Sequence, residues 1–265
     1  MKFLFIVQGE GRGHMTQTIS MQDILVRHGH QVVDVLVGKS EFREIPKFFY
    51  DKINVPIHTY ESPNFLKSKN NKGIVLLATV TYNLKRCRRY FKSMAFIHQR
   101  IKETKPDLVL NFYEPLAGLT YAIYRPKVPY MCVGHQFLLF HKDFVFPAGQ
   151  RIQRFLLNFN SWVTSLRATK LIALSFTPMT DIARKRLFVV PPLLRKEVLE
   201  ITPGNSNYIL GYMLNPGYSE EIIRWHNSNP TVVGHFFWDK KDAPEDMEVE
   251  PNLFFHRISD VKFLD

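Results

Sequence analysis

Short apolar runs alternate with amphipathic stretches from the first residues of the chain. Residues 2–8 are almost wholly apolar and end at Gly9, a pattern typical of a buried parallel strand. Residues 14–29 carry apolar side chains on a helical pattern that ends near Gly29, and residues 31–38 form a second apolar run. A strand, a glycine-rich turn, a helix and a strand together predict a βαβ unit with a parallel sheet.

The same alternation continues to about residue 194. Further strands are predicted at 55–61, 106–112, 128–135, 170–176 and 186–194, with helical patterns at 73–105, 114–124 and 148–167. The fold class predicted for residues 1–200 is therefore α/β, with a Rossmann-like parallel sheet.

A second domain is predicted over residues 208–265. The preceding segment, 200–207, is rich in Pro, Gly, Asn and Ser, as a linker is. Strands at 207–214, 231–238 and 252–258 and a helix at 219–228 start a second Rossmann-like domain with fewer strands than an average sheet. We therefore expect this domain to be incomplete. The acidic residues between 245 and 250 follow Pro244 and predict a solvated loop, not a metal-binding pair.

Basic residues outnumber acidic ones by 35 to 24, for a net charge of +11, which favours an anionic partner. Eight basic residues and one acid lie between Lys85 and Lys105, and the segment 137–146 is an apolar loop after a strand. Basic charge beside exposed aromatic residues is typical of peripheral membrane binding, although a solvated helix face and a buried loop are the alternatives. We expect a cytoplasmic protein, peripheral at the inner face of the membrane. Nucleic acid is a less favoured partner for this positive charge, because no recognised nucleic-acid-binding module is present.

The loop GEGRGH at residues 9–14 lies between the first strand and the first helix, where parallel sheets bind ligands. A dinucleotide site would need glycine at His14 and an acid after Val37, so we expect no NAD or FAD, and no other cofactor. A phosphate-binding P-loop would need a GK[ST] sequence, which does not follow. A histidine at a helix N-terminus is held neutral and suits a general base. A capping role for His14 is the alternative.

The segments FIVQGEGRGHMTQ, PDLVLNFYEP and VPYMCVGHQF resemble the N-terminal strands of GT-B glycosyltransferases, in particular a MurG-like group with a GxGxGH opening. The segment NYILGYMLNPG is similar to the entry to the donor domain of that class. The resemblance implies an N-terminal domain that binds a sugar or lipid-linked acceptor and a C-terminal domain that binds a nucleotide-diphosphate sugar. It also implies metal-independent transfer of the sugar to an acceptor hydroxyl, with His14 as the catalytic residue. The glycine-rich donor turn of the class would lie beyond residue 265.

The remaining site candidates follow strand ends. The acceptor candidates are Gly11, Arg12, Gly13, Glu114, His135 and Gln136. The donor candidates implied by the resemblance are Gly211, Asn215 and Gly217 in the first turn of the second domain, and Arg257 and Ile258 after a later strand. Two other functions stay open: a non-catalytic module that binds a sugar or lipid phosphate at a membrane, and a nucleotide-sugar epimerase of the same fold.

Overall fold

The computed structural model describes residues 1–41, 43–64, 75–202, 204, 206–213, 216–240 and 242–258. These residues form two compact units. The first comprises residues 1–64 and 82–199, and the second comprises the described residues from 200 onward together with 75–81.

The first unit is built on a seven-stranded parallel sheet with the strand order β3-β2-β1-β4-β5-β6-β7. Its strands are β1 (Lys2–Gln8), β2 (Gln31–Lys39), β3 (Ile57–Glu61), β4 (Leu108–Phe112), β5 (Tyr130–Val133), β6 (Lys170–Leu174) and β7 (Leu187–Val190). The predicted α/β class with a Rossmann-like parallel sheet is thereby confirmed.

Helices cover both faces of this sheet. They are α1 (Arg12–Arg27), α2 (Lys47–Lys52), α4 (Cys87–Thr104), α5 (Pro115–Tyr124) and α6 (Arg151–Thr164); α3 (Leu76–Lys85) and α7 (Lys196–Glu200) each belong partly to the second unit. Successive side chains of β1 point to opposite faces, so Phe5 packs in the core beneath α1 and α2 while Ile6 packs in the core beneath α4 and α5. Both cores need apolar residues, which explains the unbroken apolar run at the start of the chain.

The long helix expected over residues 73–105 is two helices. The described part of α3 ends at Lys85, and α4 begins at Cys87 after Arg86, whose ψ of 3° departs from helical geometry. An uninterrupted amphipathic pattern does not show such a local break, because the apolar stripe continues through it.

The second unit contains a four-stranded sheet in the order β10-β11-β9-β8, with the helix α8 (Ser219–Asn227). Its strands are β8 (Tyr208–Met213), β9 (Val233–Trp238), β10 (Asp246–Glu250) and β11 (Leu253–Arg257). The solvated loop expected at the acidic run is wrong: β10 pairs antiparallel with β11 there. Met247 and Val249 alternate with the acids and pack against the core, so the acids occupy the polar face of a strand.

Candidate functional site

The carboxyl ends of β1, β4 and β5 meet at one edge of the seven-stranded sheet. The chain runs outward to β2 and β3 on one side of β1 and to β4 through β7 on the other. This reversal of strand order is the point at which open α/β sheets bind ligands. The loop after β1 and the segments after β4 and β5 therefore lie where a ligand is expected.

The three glycines between the end of β1 and the first turn of α1 differ in the space around them. A Cβ at Gly9 would lie 2.8 Å from the carbonyl oxygen of Gly38, so glycine is required there by the packing of β1 against β2. A Cβ at Gly11 or Gly13 would meet nothing within 4 Å. Gly11 is the N-cap of α1, and Arg12 is the first helical residue. The open space around Gly11 and Gly13 is compatible with a ligand, and their role in acceptor binding stays a prediction.

His14, the third residue of α1, is buried, with only 5% of its surface exposed. Burial and, to a smaller extent, the nearby His135 lower the pKa of its imidazole to about 4, against a hydrogen bond from Gln17 that acts in the opposite direction. The ring is therefore neutral at neutral pH, the protonation state that a general base requires. Within the described chain, no carboxylate forms a hydrogen bond or an ion pair with His14.

The side chain of Gln136 determines the tautomer of His14. Gln136 Nε2 lies 3.1 Å from His14 Nε2, and an amide nitrogen can only donate. With the amide in this orientation, His14 Nε2 is the acceptor and the ring proton is assigned to Nδ1. The accepting lone pair of Nε2 is the one that a general base uses. An acceptor hydroxyl at this position would take the place of the amide of Gln136.

Two aromatic rings flank the imidazole of His14. The ring of His135 is nearly parallel to it, with centroids 6.2 Å apart, and the ring of Tyr113 is stacked at 5.6 Å. His135 is partly exposed, and desolvation of the part that is covered lowers the pKa of its own imidazole. The structure thus brings two other predicted residues, His135 and Gln136, to the imidazole of His14.

Glu114 has a different environment from the one expected for an acceptor-binding residue. It is fully buried and is the N-cap of α5, where its Oε1 accepts hydrogen bonds from Leu116 N at 3.1 Å and from Ser62 Oγ at 2.5 Å. Burial raises the pKa of this carboxyl group to about 8. The carboxyl group of Glu114 closes the start of a helix, and its role in acceptor binding stays a prediction.

The sequence interpretation missed Asn111 and Tyr113. Asn111 is fully buried in β4, accepts from Glu114 N at 2.8 Å and donates to Tyr130 Oη at 2.7 Å, so it holds the turn after β4. Tyr113 lies in that turn with a positive φ of 63°. A polar residue inside an otherwise apolar strand was the available signal for Asn111.

The donor candidates are spread over the second unit. Gly211 lies inside β8, where a Cβ would overlap the ring of Phe236, so its predicted position in the first turn is wrong. Asn215 lies outside the described residues. Gly217 lies in the short 3-10 turn 216–218 that leads into α8, whose first turn carries Glu220 and Glu221, and these acids oppose an anion there. Arg257 ends β11 and is exposed, and Ile258 N donates to Trp238 O at 3.0 Å.

The two segments expected at a membrane are both partly engaged within the first unit. At the start of α4, Arg86 and Arg89 form ion pairs with Glu41 and Glu61, and farther along the helix Arg100 pairs with the buried Asp34 at 2.6 Å. In the segment 137–146, Phe137 and His141 are buried and Leu138, Leu139 and Phe140 are half-buried. The exposed apolar patch predicted there is therefore reduced chiefly to Val145.

Among the described residues, no helix combines the length and apolar character that a membrane span needs. No three His, Cys, Asp or Glu side chains in this part of the chain are grouped closely enough to hold a metal ion.

The fold is shared with solved sugar-processing enzymes. UGT89C1 of Arabidopsis thaliana, solved with UDP, matches 99% of this chain and 72% of its own at 13% identity and a TM-score of 0.58. The calicheamicin glycosyltransferase CalG4 matches 96% and 70% at 16% identity and 0.52. The UDP-GlcNAc 2-epimerase of Neisseria meningitidis, bound to UDP-GlcNAc, matches 99% and 74% at 13% identity and 0.55. At these identities the likeness concerns the fold, which is that of the GT-B glycosyltransferases.

The family is given by the sequence itself. The model of glycosyl transferase family 1 matches residues 1–265, so the chain belongs to this family and is a glycosyltransferase. No curated protein matches the chain.

Proposed function

We propose that this glycosyltransferase moves a sugar from a nucleotide-diphosphate donor to an acceptor hydroxyl, without a metal ion, and that His14 is the general base. The observation that carries the proposal is the environment of His14 Nε2. This atom is the acceptor nitrogen of a neutral imidazole at the switch point of the sheet, and a side-chain amide occupies the place a hydroxyl would take.

The proposed reaction transfers one proton to the base and releases one leaving group. The acceptor hydroxyl transfers its proton to His14 Nε2 as its oxygen forms a bond to the anomeric carbon. The bond from that carbon to the diphosphate breaks, and the nucleoside diphosphate leaves with the electron pair. In this proposal Gly11, Arg12, Gly13, His135 and Gln136 surround the acceptor, and Gly217, Arg257 and Ile258 in the second unit contact the donor.

UDP is the first nucleotide to test, because the Arabidopsis structure has UDP bound and the Neisseria structure has UDP-GlcNAc bound. The assay is UDP release from UDP-glucose and UDP-GlcNAc with a panel of hydroxylated acceptors. We expect release to depend on acceptor and to persist in EDTA. His14→Ala should lower turnover about 100-fold, the usual contribution of a general base. His28→Ala, at the exposed end of the same helix, is the matched control.

Three outcomes would redirect the proposal. An unchanged rate in His14→Ala removes the base, and loss of activity in EDTA that Mg²⁺ restores removes metal independence. The epimerase of the same fold predicts conversion of the UDP-sugar without acceptor. A non-catalytic module predicts saturable binding of a sugar or lipid phosphate with no UDP release.

An anionic membrane surface belongs to the same proposal. The net charge of +11 supports it, and a lipid-linked acceptor would place the enzyme there. The ion pairs of α4 neutralise part of the charge on the surface that the sequence favoured.

A further inference from the structure

Helix α6 exposes its largest apolar side chains. Ile152, Phe155, Phe159 and Trp162 are exposed to 64, 66, 50 and 54%. Their spacing of three, four and three residues places all of them along one side of the helix. Most surface helices turn such a stripe toward the core, so α6 has the reverse of the usual arrangement.

The buried side of α6 is small and polar. Ser161 and Thr164 are fully buried, and Ser161 Oγ lies 2.8 Å from the hydroxyl of Tyr113. A Cβ at Gly118 of α5 would overlap the backbone carbonyl groups of Val163 and Thr164, so the two helices are in close backbone contact. No bulky side chain fits into this contact. The rotation of α6 is thereby fixed, and its aromatic stripe cannot turn inward.

The exposed rings of α6 contact one another, and Arg154 contacts the segment before the helix. The rings of Phe155 and Phe159 are stacked at 6.2 Å, and the ring of Trp162 lies 5.8 Å from that of Phe159. In the preceding segment, Val145 is 86% exposed, and the guanidinium group of Arg154 lies 4.3 Å above the ring of Phe146. We call Val145, Ile152, Phe155, Phe159 and Trp162 the α6 face.

The charged residues of the segment that carries the α6 face have one sign. From Phe144 to Thr180 the sequence contains no Asp and no Glu, but it contains four basic residues, all of them exposed: Arg151, Arg154, Arg167 and Lys170. On α4, by contrast, arginines are paired with carboxylates of the same unit. The helix α6 therefore offers aromatic rings together with basic groups for which its own segment supplies no carboxylate.

We propose that the α6 face docks on an anionic lipid bilayer, with its aromatic rings in the interface and its arginines at the lipid phosphates. Inserted Phe and Trp rings on one side of a helix, with Arg beside them, are the chemistry of an interfacial helix. The inference rests on the membrane surface included in the proposed function, and it moves the contact from α4 and the segment 137–141 to α6.

Vesicle co-sedimentation of the full chain tests the proposal. We expect binding to vesicles of phosphatidylcholine mixed with phosphatidylglycerol, little binding to phosphatidylcholine alone, and release by salt. The double substitution Phe155→Ser/Phe159→Ser should weaken binding at least about tenfold, because two aromatic side chains that the proposal buries in the bilayer are lost. Phe91→Ser on α4 is the matched control, since Phe91 is 57% exposed but lies on the other helix. It should bind as the unchanged protein does.

The role of the basic residues is tested by comparing Arg-to-Glu variants at α6 with Arg-to-Glu variants at α4. Arg151→Glu/Arg154→Glu should reduce binding to the mixed vesicles more than Arg86→Glu/Arg88→Glu/Arg89→Glu does. The reverse order would return the contact to α4. Trp162 emission should shift to the blue on binding, whereas a Trp162→Phe variant should lose that shift. Circular dichroism of each variant checks its folding.

Three results would overturn the proposal. They are equal loss of binding in Phe155→Ser/Phe159→Ser and Phe91→Ser, full retention in Phe155→Ser/Phe159→Ser, and failure of the unchanged protein to sediment with anionic vesicles at low salt. If Phe155→Ser/Phe159→Ser instead converts a dimer to a monomer in light scattering without affecting sedimentation, the occupant is a second copy. These measurements use no donor and no acceptor, so they fail independently of the UDP-release assay.

Discussion

Two buried titratable groups lie in neighbouring segments of the same sheet edge, and burial affects them in opposite directions. The pKa of His14 is lowered to about 4 and that of Glu114 is raised to about 8, in both cases mainly by desolvation. Both side chains are therefore largely uncharged near neutral pH. Their partners distinguish them. His14 Nε2 meets the side chain of a half-buried glutamine, whereas Glu114 Oε1 meets a backbone N–H and the Ser62 hydroxyl.

The difference shows that a perturbed pKa alone does not identify a catalytic group. A ligand can displace a side-chain amide such as that of Gln136 at little structural cost, but displacing the partners of Glu114 would open the start of α5. The surroundings of His14 therefore support its proposed role as a base, whereas those of Glu114 stabilise the start of α5.

The largest expected effect is that of Glu114 on the free energy of unfolding and its dependence on pH. Glu114 keeps its proton in the folded chain up to about pH 8, whereas the unfolded chain loses it near 4.5. The folded state is therefore destabilised as the pH rises from 4.5 to 8, by up to roughly 5 kcal/mol. Glu114→Gln, which stays neutral, should remove this pH dependence in urea unfolding at pH 5 and pH 8. An unchanged slope in Glu114→Gln, or an equal change in the exposed control Glu248→Gln, would contradict the assignment.

The corresponding effect of His14 has the opposite sign. The unfolded chain takes up a proton near pH 6.5, whereas the folded chain does so only near 4. Stability is therefore lost as the pH falls from 6.5 to 4, by roughly 3 kcal/mol. His14→Gln should lose less stability over this window in urea unfolding, and the exposed His28→Gln should behave as the unchanged protein does. If the acid sensitivity of His14→Gln is unaltered, His14 is not held neutral by burial.

The smallest expected effect concerns Gln136. Its amide donates to His14 Nε2 and stabilises the neutral imidazole, whereas a carboxylate at the same position would stabilise the protonated form. In Gln136→Glu, the acid limb of the pH profile of kcat/KM should move to higher pH by about one unit. Gln136→Ala should move it less, because no charge is added. A limb that stays in place in both variants would show that Gln136 does not act on the base.

Much of the fold could be predicted from the sequence, because most strands of the seven-stranded sheet are short apolar runs bounded by polar or turn residues. The position of His14 at the first helix was equally accessible, since it depends only on a strand, a loop and a helix that are adjacent in the chain. The break at Arg86 and the strand Asp246–Glu250 were not predicted. The apolar spacing of the helix continues through the break at Arg86. In the strand, the acidic composition concealed the alternation of apolar and polar residues.

The sequence alone thus determined the parallel sheet, the glycine loop and the histidine beside it, because these follow from local periodicity and from residues close together in the chain. Only the tertiary structure decided which strand-end residues meet His14 and which close a helix, since Gln136 is 122 positions away from it. It also decided that α6 turns its aromatic residues outward. The hydrophobic pattern of a helix gives the direction of its apolar side, but the close contact at Gly118 determines which side faces the core.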